Sequence, residues 1–131
     1  MKATRLMAAL VVIGSSLVHV VQAQTPQTAR TELTRQDLGD SVHEVVQTRV
    51  NFSPGAAFPA HSHHGVEVAY VLEGTLEYRL EGKNPITLRA GQSLFIPSGT
   101  HHSARNVGEG EASELATYFV EKGKPLVELA K

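Results

Sequence analysis

Residues 55–74 read GAAFPAHSHHGVEVAYVLEG. This stretch sets His61, His63 and Glu67 inside one apolar, strand-like segment. Side chains on a β-strand alternate between faces, so His61 and His63 point the same way, with Cα atoms roughly 6.6 Å apart. Two imidazoles at that span can converge on one ion. Glu67 cannot join them along the same straight strand, because four further residues carry it about 13 Å away. The chain therefore has to turn, and His64-Gly65 is the place, since Gly accepts a positive φ at no steric cost. The strand that follows, residues 67–72, then brings the carboxylate back to the two imidazoles.

A second stretch, residues 91–106, reads GQSLFIPSGTHHSARN and adds His101 and His102. A lone His-x-His is more often surface chance than a metal site. A carboxylate just past a Gly turn, together with a second His cluster beyond a Pro/Gly turn, is much harder to obtain by accident.

Outward from these stretches the chain alternates. In residues 44–52 (EVVQTRVNF), Val46, Thr48, Val50 and Phe52 form one face; Gln47, Arg49 and Asn51 form the other. Residues 68–72 and 75–80 predict a hairpin about Glu73-Gly74. Residues 86–89, 93–96, 102–107 and 115–120 predict further strands, separated by turn residues such as Pro97-Ser98-Gly99. No segment after residue 23 carries a 3.6-residue period over two turns. Short strands with turn signals every eight to twelve residues predict an all-β sandwich or barrel.

At the N-terminus, Lys2 and Arg5 precede an apolar run over residues 6–21. Val21 and Ala23 then occupy the positions that a signal peptidase reads. We expect residues 1–23 to be a signal peptide cleaved after Ala23. The run is short for a spanning helix and contains His19, which argues against an uncleaved anchor. Export to the periplasm, or beyond it to the medium, follows, with no stable membrane anchor after cleavage. Residues 24–41 are expected to be a flexible leader with a short edge strand near residues 33–38. Residues 42–121 are expected to form the barrel, and residues 122–131 a tail, either a short helix or a strand added to a neighbouring subunit.

The chain has 131 residues, a net charge of −1 and no cysteine. Loss of Lys2 and Arg5 makes the rest more acidic, so there is no basic footprint for nucleic acid. There is no thiol nucleophile, no Gly-x-Ser-x-Gly and no Gly-rich phosphate loop. An exported domain this small without disulfides needs a well-closed core, a metal or a partner subunit.

The two motif stretches resemble the cupins. Gly55, His61-Ser62-His63, Glu67 and Gly74 match the first cupin motif at every spacing; Gly91, Pro97-Ser98-Gly99, His102 and Asn106 match the second. The resemblance covers residues 55–106. It implies a single jelly-roll barrel with one divalent transition metal held by His61, His63, Glu67 and His102. His101 falls at a filler position, and only one of two adjacent residues can face inward. Three neutral imidazoles and one carboxylate fill four positions, leaving an octahedral ion two for water or a bidentate small organic molecule. Mixed nitrogen and oxygen donors suit Fe, Mn, Ni, Co, Cu or Zn alike. Glu67 is also a candidate catalytic base if it loosens from the metal. For the pocket, Ala69 and Val71 share Glu67's face; Phe95, Tyr78 and one of Tyr118 and Phe119 are expected at the mouth. The expected function is that of a metal-dependent, dioxygenase-like oxidoreductase. The alternatives are a non-catalytic cupin that binds or senses a small ligand, and a storage protein. The resemblance also implies a homodimer.

Overall fold

The computed structural model describes residues 25–40 and 42–131; the expected signal peptide lies outside them. Ten strands follow in order: β1 (Thr28–Asp37), β2 (His43–Phe52), β3 (Ala57–Ser62), β4 (Gly65–Glu73), β5 (Thr75–Leu80), β6 (Ile86–Arg89), β7 (Ser93–Ile96), β8 (His102–Asn106), β9 (Ala112–Glu121) and β10 (Glu128–Leu129). They form two five-stranded antiparallel sheets, in the orders β1-β2-β9-β4-β7 and β10-β3-β8-β5-β6. The strand order crosses over between sheets in the manner of a jelly roll. Among the described residues no helix is long and apolar enough to cross a membrane.

Alternation sets what lies between the sheets. Val46, Thr48, Val50 and Phe52 of β2 are all buried, as are Leu76, Tyr78 and Leu80 of β5. Val50, Phe52 and the three β5 residues join Ala69, Val71 and Ile96 in the main cluster, whereas Val46 belongs to a smaller one. Each fully buried aliphatic or aromatic side chain contributes about 1.5–3 kcal/mol, so this core supplies the closure that the absent disulfides cannot. Residues 68–72 and 75–80 do not form the expected hairpin: β4 lies in one sheet and β5 in the other, and the chain crosses between them at Gly74, at φ +76°, where a Cβ would stand 2.6 Å from the Glu111 carbonyl oxygen. Asn106 ties off the end of β8: its amide donates to the carbonyls of Phe52 at 3.0 Å and Gly110 at 2.8 Å. This motif residue is therefore a backbone clamp.

Both ends of the chain differ from expectation. The stretch read as a flexible leader is β1, which pairs with β2 from Thr28 opposite Phe52 to Asp37 opposite Glu44. Its polar composition reflects an edge strand with most side chains in water. Arg35 pins it further, forming ion pairs with Glu32 and Glu44. At the other end, β10 pairs with residues 61 and 62 of β3 in the same chain, not with a neighbouring subunit.

Candidate metal centre

Each element delivers its ligand for a local reason. In β3, Phe58 stands opposite Ala104 and His61 opposite His102, so three steps on β3 match two on β8. This bulge falls at Pro59-Ala60, where Pro has no N–H for a regular ladder. It turns His61 inward, directly facing His102, with ring centroids 4.2 Å apart. His63 lies in the connection to β4. Gly65, at φ +151°, packs so closely on β9 that a Cβ would sit 2.0 Å from the Phe119 carbonyl oxygen. That close approach swings the chain into the second sheet, where Glu67 pairs with Ile96 and Tyr118. The centre thus bridges both sheets: His61 and His102 come from one, Glu67 from the other, and His63 from the link between them.

The four side chains are buried, and their donor atoms all lie within 4.8 Å of one another. Two bonds of about 2.1 Å span roughly 4.2 Å, so a first-row ion needs only a small contraction of this group. Each imidazole is held from behind. Nδ1–H of His61 donates to the Pro59 carbonyl at 2.8 Å, that of His102 to the Thr100 carbonyl at 2.9 Å, and that of His63 to the Leu126 carbonyl. These bonds fix the tautomer and aim each Nε2 lone pair at the centre, the arrangement metal-bound histidines require.

Without a cation, those lone pairs and the carboxylate are poorly satisfied. His102 Nε2 lies 3.1 Å from Glu67 Oε2 in hydrogen-bonding geometry, which demands a proton on both ring nitrogens. Burial works against that charge, but the Glu67 carboxylate and the Thr100 carbonyl outweigh it and raise the His102 pKa. His63 Nε2 also approaches Oε2, at 2.9 Å, but off the hydrogen-bonding direction. Among the described residues it is the one buried side-chain polar atom with no hydrogen-bond partner. Burial, followed by the neighbouring His102 and His63, depresses His61 to about 4. For Glu67, burial pushes upward, but His102 and His63 on Oε2 hold the carboxyl down at about 2. An ionised carboxylate facing three imidazoles whose Nε2 atoms converge is a donor set suited to a divalent transition metal, whose binding would displace the proton that His102 shares with Glu67.

The cleft at the centre is tight, with free space of about 10 Å³, on the order of one water-sized sphere. Tyr78 and Tyr118 line it. Ala69 and Val71 share Glu67's inward face but belong to the core below, away from the cleft lining. Phe95 and Phe119 do not line it: they are 56% and 43% exposed, on the outer face of their sheet. Alternation decides this, since Ile96 and Tyr118 take the inward positions beside them. His43, His64 and His101 lie apart from the centre, each against a carboxylate of Asp40, Glu128 and Glu81 respectively.

Five lining residues lie outside the sequence expectation: the core residues Val50 and Ala104, and Arg30 of β1, Phe58 of β3 and Glu114 of β9. The signal for Glu114 was present, as the single carboxylate among the small and apolar inward residues Ala112, Ala116, Tyr118 and Val120. The Tyr78 hydroxyl donates to Glu114 Oε2. Burial, with the charge of Glu67 adding to it, pushes the Glu114 carboxyl up to about 7. Burial and Glu114 in turn raise the Tyr78 phenol above its ordinary range.

The sequence matches the cupin domain family over residues 48–118. It is similar to oxalate oxidase GF-2.8 of Triticum aestivum, 32% identical over 115 residues that cover 80% of this chain and 51% of the relative. It is also similar to the protein named polyketide synthase CurC of Streptomyces cyaneus, 45% identical over 60 residues, or 45% of this chain and 38% of that one. A solved structure of recombinant oxalate oxidase in complex with glycolate superposes with a TM-score of 0.64 at 28% identity, over 78% of this chain and 54% of that one. The chain spans about half the length, or less, of these curated relatives.

Proposed function

The chain belongs to the cupin family, and on that premise we propose that it is an exported, metal-dependent oxidoreductase acting on a small organic acid that chelates the metal. The observation that carries the reading is the converged set of His61, His63, Glu67 and His102, each imidazole already turned by a backbone carbonyl. A divalent ion held there supplies a Lewis acid with open positions for a chelating ligand. The protein's own contributions are distinct. Tyr78, Tyr118 and Phe58 exclude water around the ligand atoms. Glu114 holds a proton up to about neutral pH, where proton transfer is most effective. Glu67 would serve first as a ligand and become a base only if it loosened from the metal. The tightness of the cleft argues against a ligand as bulky as a flavonol. The likeness to oxalate oxidase points the same way.

The test is elemental analysis of the purified protein, followed by oxygen uptake with oxalate, glycolate, 2-oxo acids, catechols and diketones. Bound Fe, Mn, Ni, Co or Cu with uptake on a small acid supports the enzyme. Bound Zn with no uptake across the panel favours the alternative, a cupin that binds or senses a small ligand. Absence of any bound transition metal removes the proposal.

We extend the proposal to a homodimer. Its support is the apolar cluster of Tyr70, Leu72, Phe95 and Phe119, each at least 40% exposed on the outer face of one sheet. A monomer mass by light scattering would exclude it.

A further inference from the structure

Arg30 stands opposite Val50 in the β1–β2 ladder. Directly paired residues place their side chains on the same face, and Val50 is buried between the sheets. Arg30 therefore points inward from the edge strand, into the cleft that His61, Glu67 and His102 line. Its Nη2 donates to the Tyr118 hydroxyl at 3.3 Å, and its guanidinium carbon lies 5.3 Å from the centroid of the Phe58 ring. Both partners are neutral. Its neighbour Arg35 is saturated by Glu32 and Glu44, whereas Arg30 has no ion pair among the described residues. A guanidinium carries five N–H donors in a fork that matches a carboxylate. One of these donors is used, by the Tyr118 hydroxyl.

The charge balance has the same sign. One divalent ion with one carboxylate and three neutral imidazoles carries a net positive charge, and Arg30 adds another. Glu114 is engaged by Tyr78 and does not neutralise Arg30 in an ion pair. The cleft is thus set for an anion with two ends, one for the ion and one for the guanidinium.

We propose that Arg30 is the specificity-determining residue of the cleft: its guanidinium binds the free carboxylate of a small carboxylic acid whose other end reaches the metal group. The inference rests on the metal-dependent reading above and deepens it. It also gives β1 a purpose beyond closing a sheet edge, since among the described residues the strand carries the one Arg or Lys that lines the cleft.

The test uses the full chain loaded with Mn(II), with oxalate titrated by calorimetry and imidazole as a neutral metal ligand for comparison. Charge-assisted hydrogen bonds lost from a bound anion correspond to roughly ten- to hundredfold in affinity. Arg30→Gln should weaken oxalate by that factor while leaving Mn(II) content and imidazole affinity within about twofold. Arg30→Lys, which keeps the charge but not the fork, should fall between. Oxalate affinity unchanged in Arg30→Gln, or imidazole weakened as much as oxalate, overturns the assignment while Mn(II) content leaves the metal-dependent reading intact. Failure of the unmutated chain to take up Mn(II) or another divalent transition metal overturns both.

Discussion

His63 and Leu126 are joined across 63 residues of sequence by a hydrogen bond from the imidazole Nδ1 to the main-chain oxygen. The C-terminal segment thereby orients a metal ligand, although only two of its residues form a strand. Leu126 also packs on the smaller core cluster of Val46, Ala116, Tyr118 and Val120. Truncation after Gly123 should leave both main sheets folded, yet weaken metal binding roughly ten- to hundredfold, as expected when a ligand loses its outer partner. Chelator competition on the truncated and full chains measures this. Equal affinities would show that the contact does not orient His63.

Removal of the metal should destabilise the fold. An ion present at a thousand times its dissociation constant stabilises by about 4 kcal/mol. Treatment with EDTA should therefore lower the thermal midpoint, and replacement of the metal should restore it. In His102→Ala the midpoint should no longer respond to either, because the carboxylate and two remaining imidazoles lose the residue facing His61.

Glu67→Gln separates ligation from proton transfer. The amide oxygen can still reach the ion but cannot accept a proton at neutral pH. If Glu67 acts as a base, the variant keeps part of its metal and loses turnover. Metal content and turnover falling in parallel would leave Glu67 a ligand only.

Glu114 should give the metal-free protein a distinctive pH dependence. Its carboxyl is raised from 4.5 to about 7 in the folded chain. Between those values the folded state holds a proton that the unfolded state has released, so stability falls as pH rises through the window. Below about 4.5 both states are protonated and the full stability remains; above about 7 the buried charge is fully expressed. Glu114→Gln, neutral throughout, should lack this slope. Urea midpoints of the two proteins from pH 4.5 to 8 should diverge, with the unmutated chain losing ground. Parallel curves would contradict the burial argument.

Gly65→Ala should be severely destabilising, by about 3 kcal/mol or more. It combines a backbone conformation unfavourable to L-residues with a Cβ 2.0 Å from the Phe119 carbonyl oxygen. Denaturant unfolding measures the loss. Gly82→Ala, also at positive φ but with open space around the Cβ, should cost distinctly less.

Much of this arrangement was legible in the sequence because it rests on local rules. The four ligands sit at fixed distances from turn residues, and the inward faces of β2 and β5 follow strict alternation. What escaped depends on pairing across the chain. Thr28–Asp37 is polar because an edge strand meets water; the alternation near residues 33–38 hints at a strand, and only the ladder with β2 extends it back to Thr28. Arg30 was hidden with it. Glu114 lay just before the stretch read as a strand, so its inward phase went unnoticed. Phe95 and Phe119 were assigned to the mouth by their hydrophobicity, but the inward positions beside them belong to Ile96 and Tyr118.

The imidazoles of the centre take their aim from the carbonyls of Pro59, Thr100 and Leu126. Every amino acid brings the same carbonyl group, so most exchanges of side chain at these three sites leave the acceptor in place. Descendants of this chain can therefore vary there while keeping an identical centre. A genetic screen for lost metal uptake should recover the ligands and the crowded glycines while passing over residue 100, whereas Pro59 also shapes the bulge of β3 and Leu126 also packs on the core.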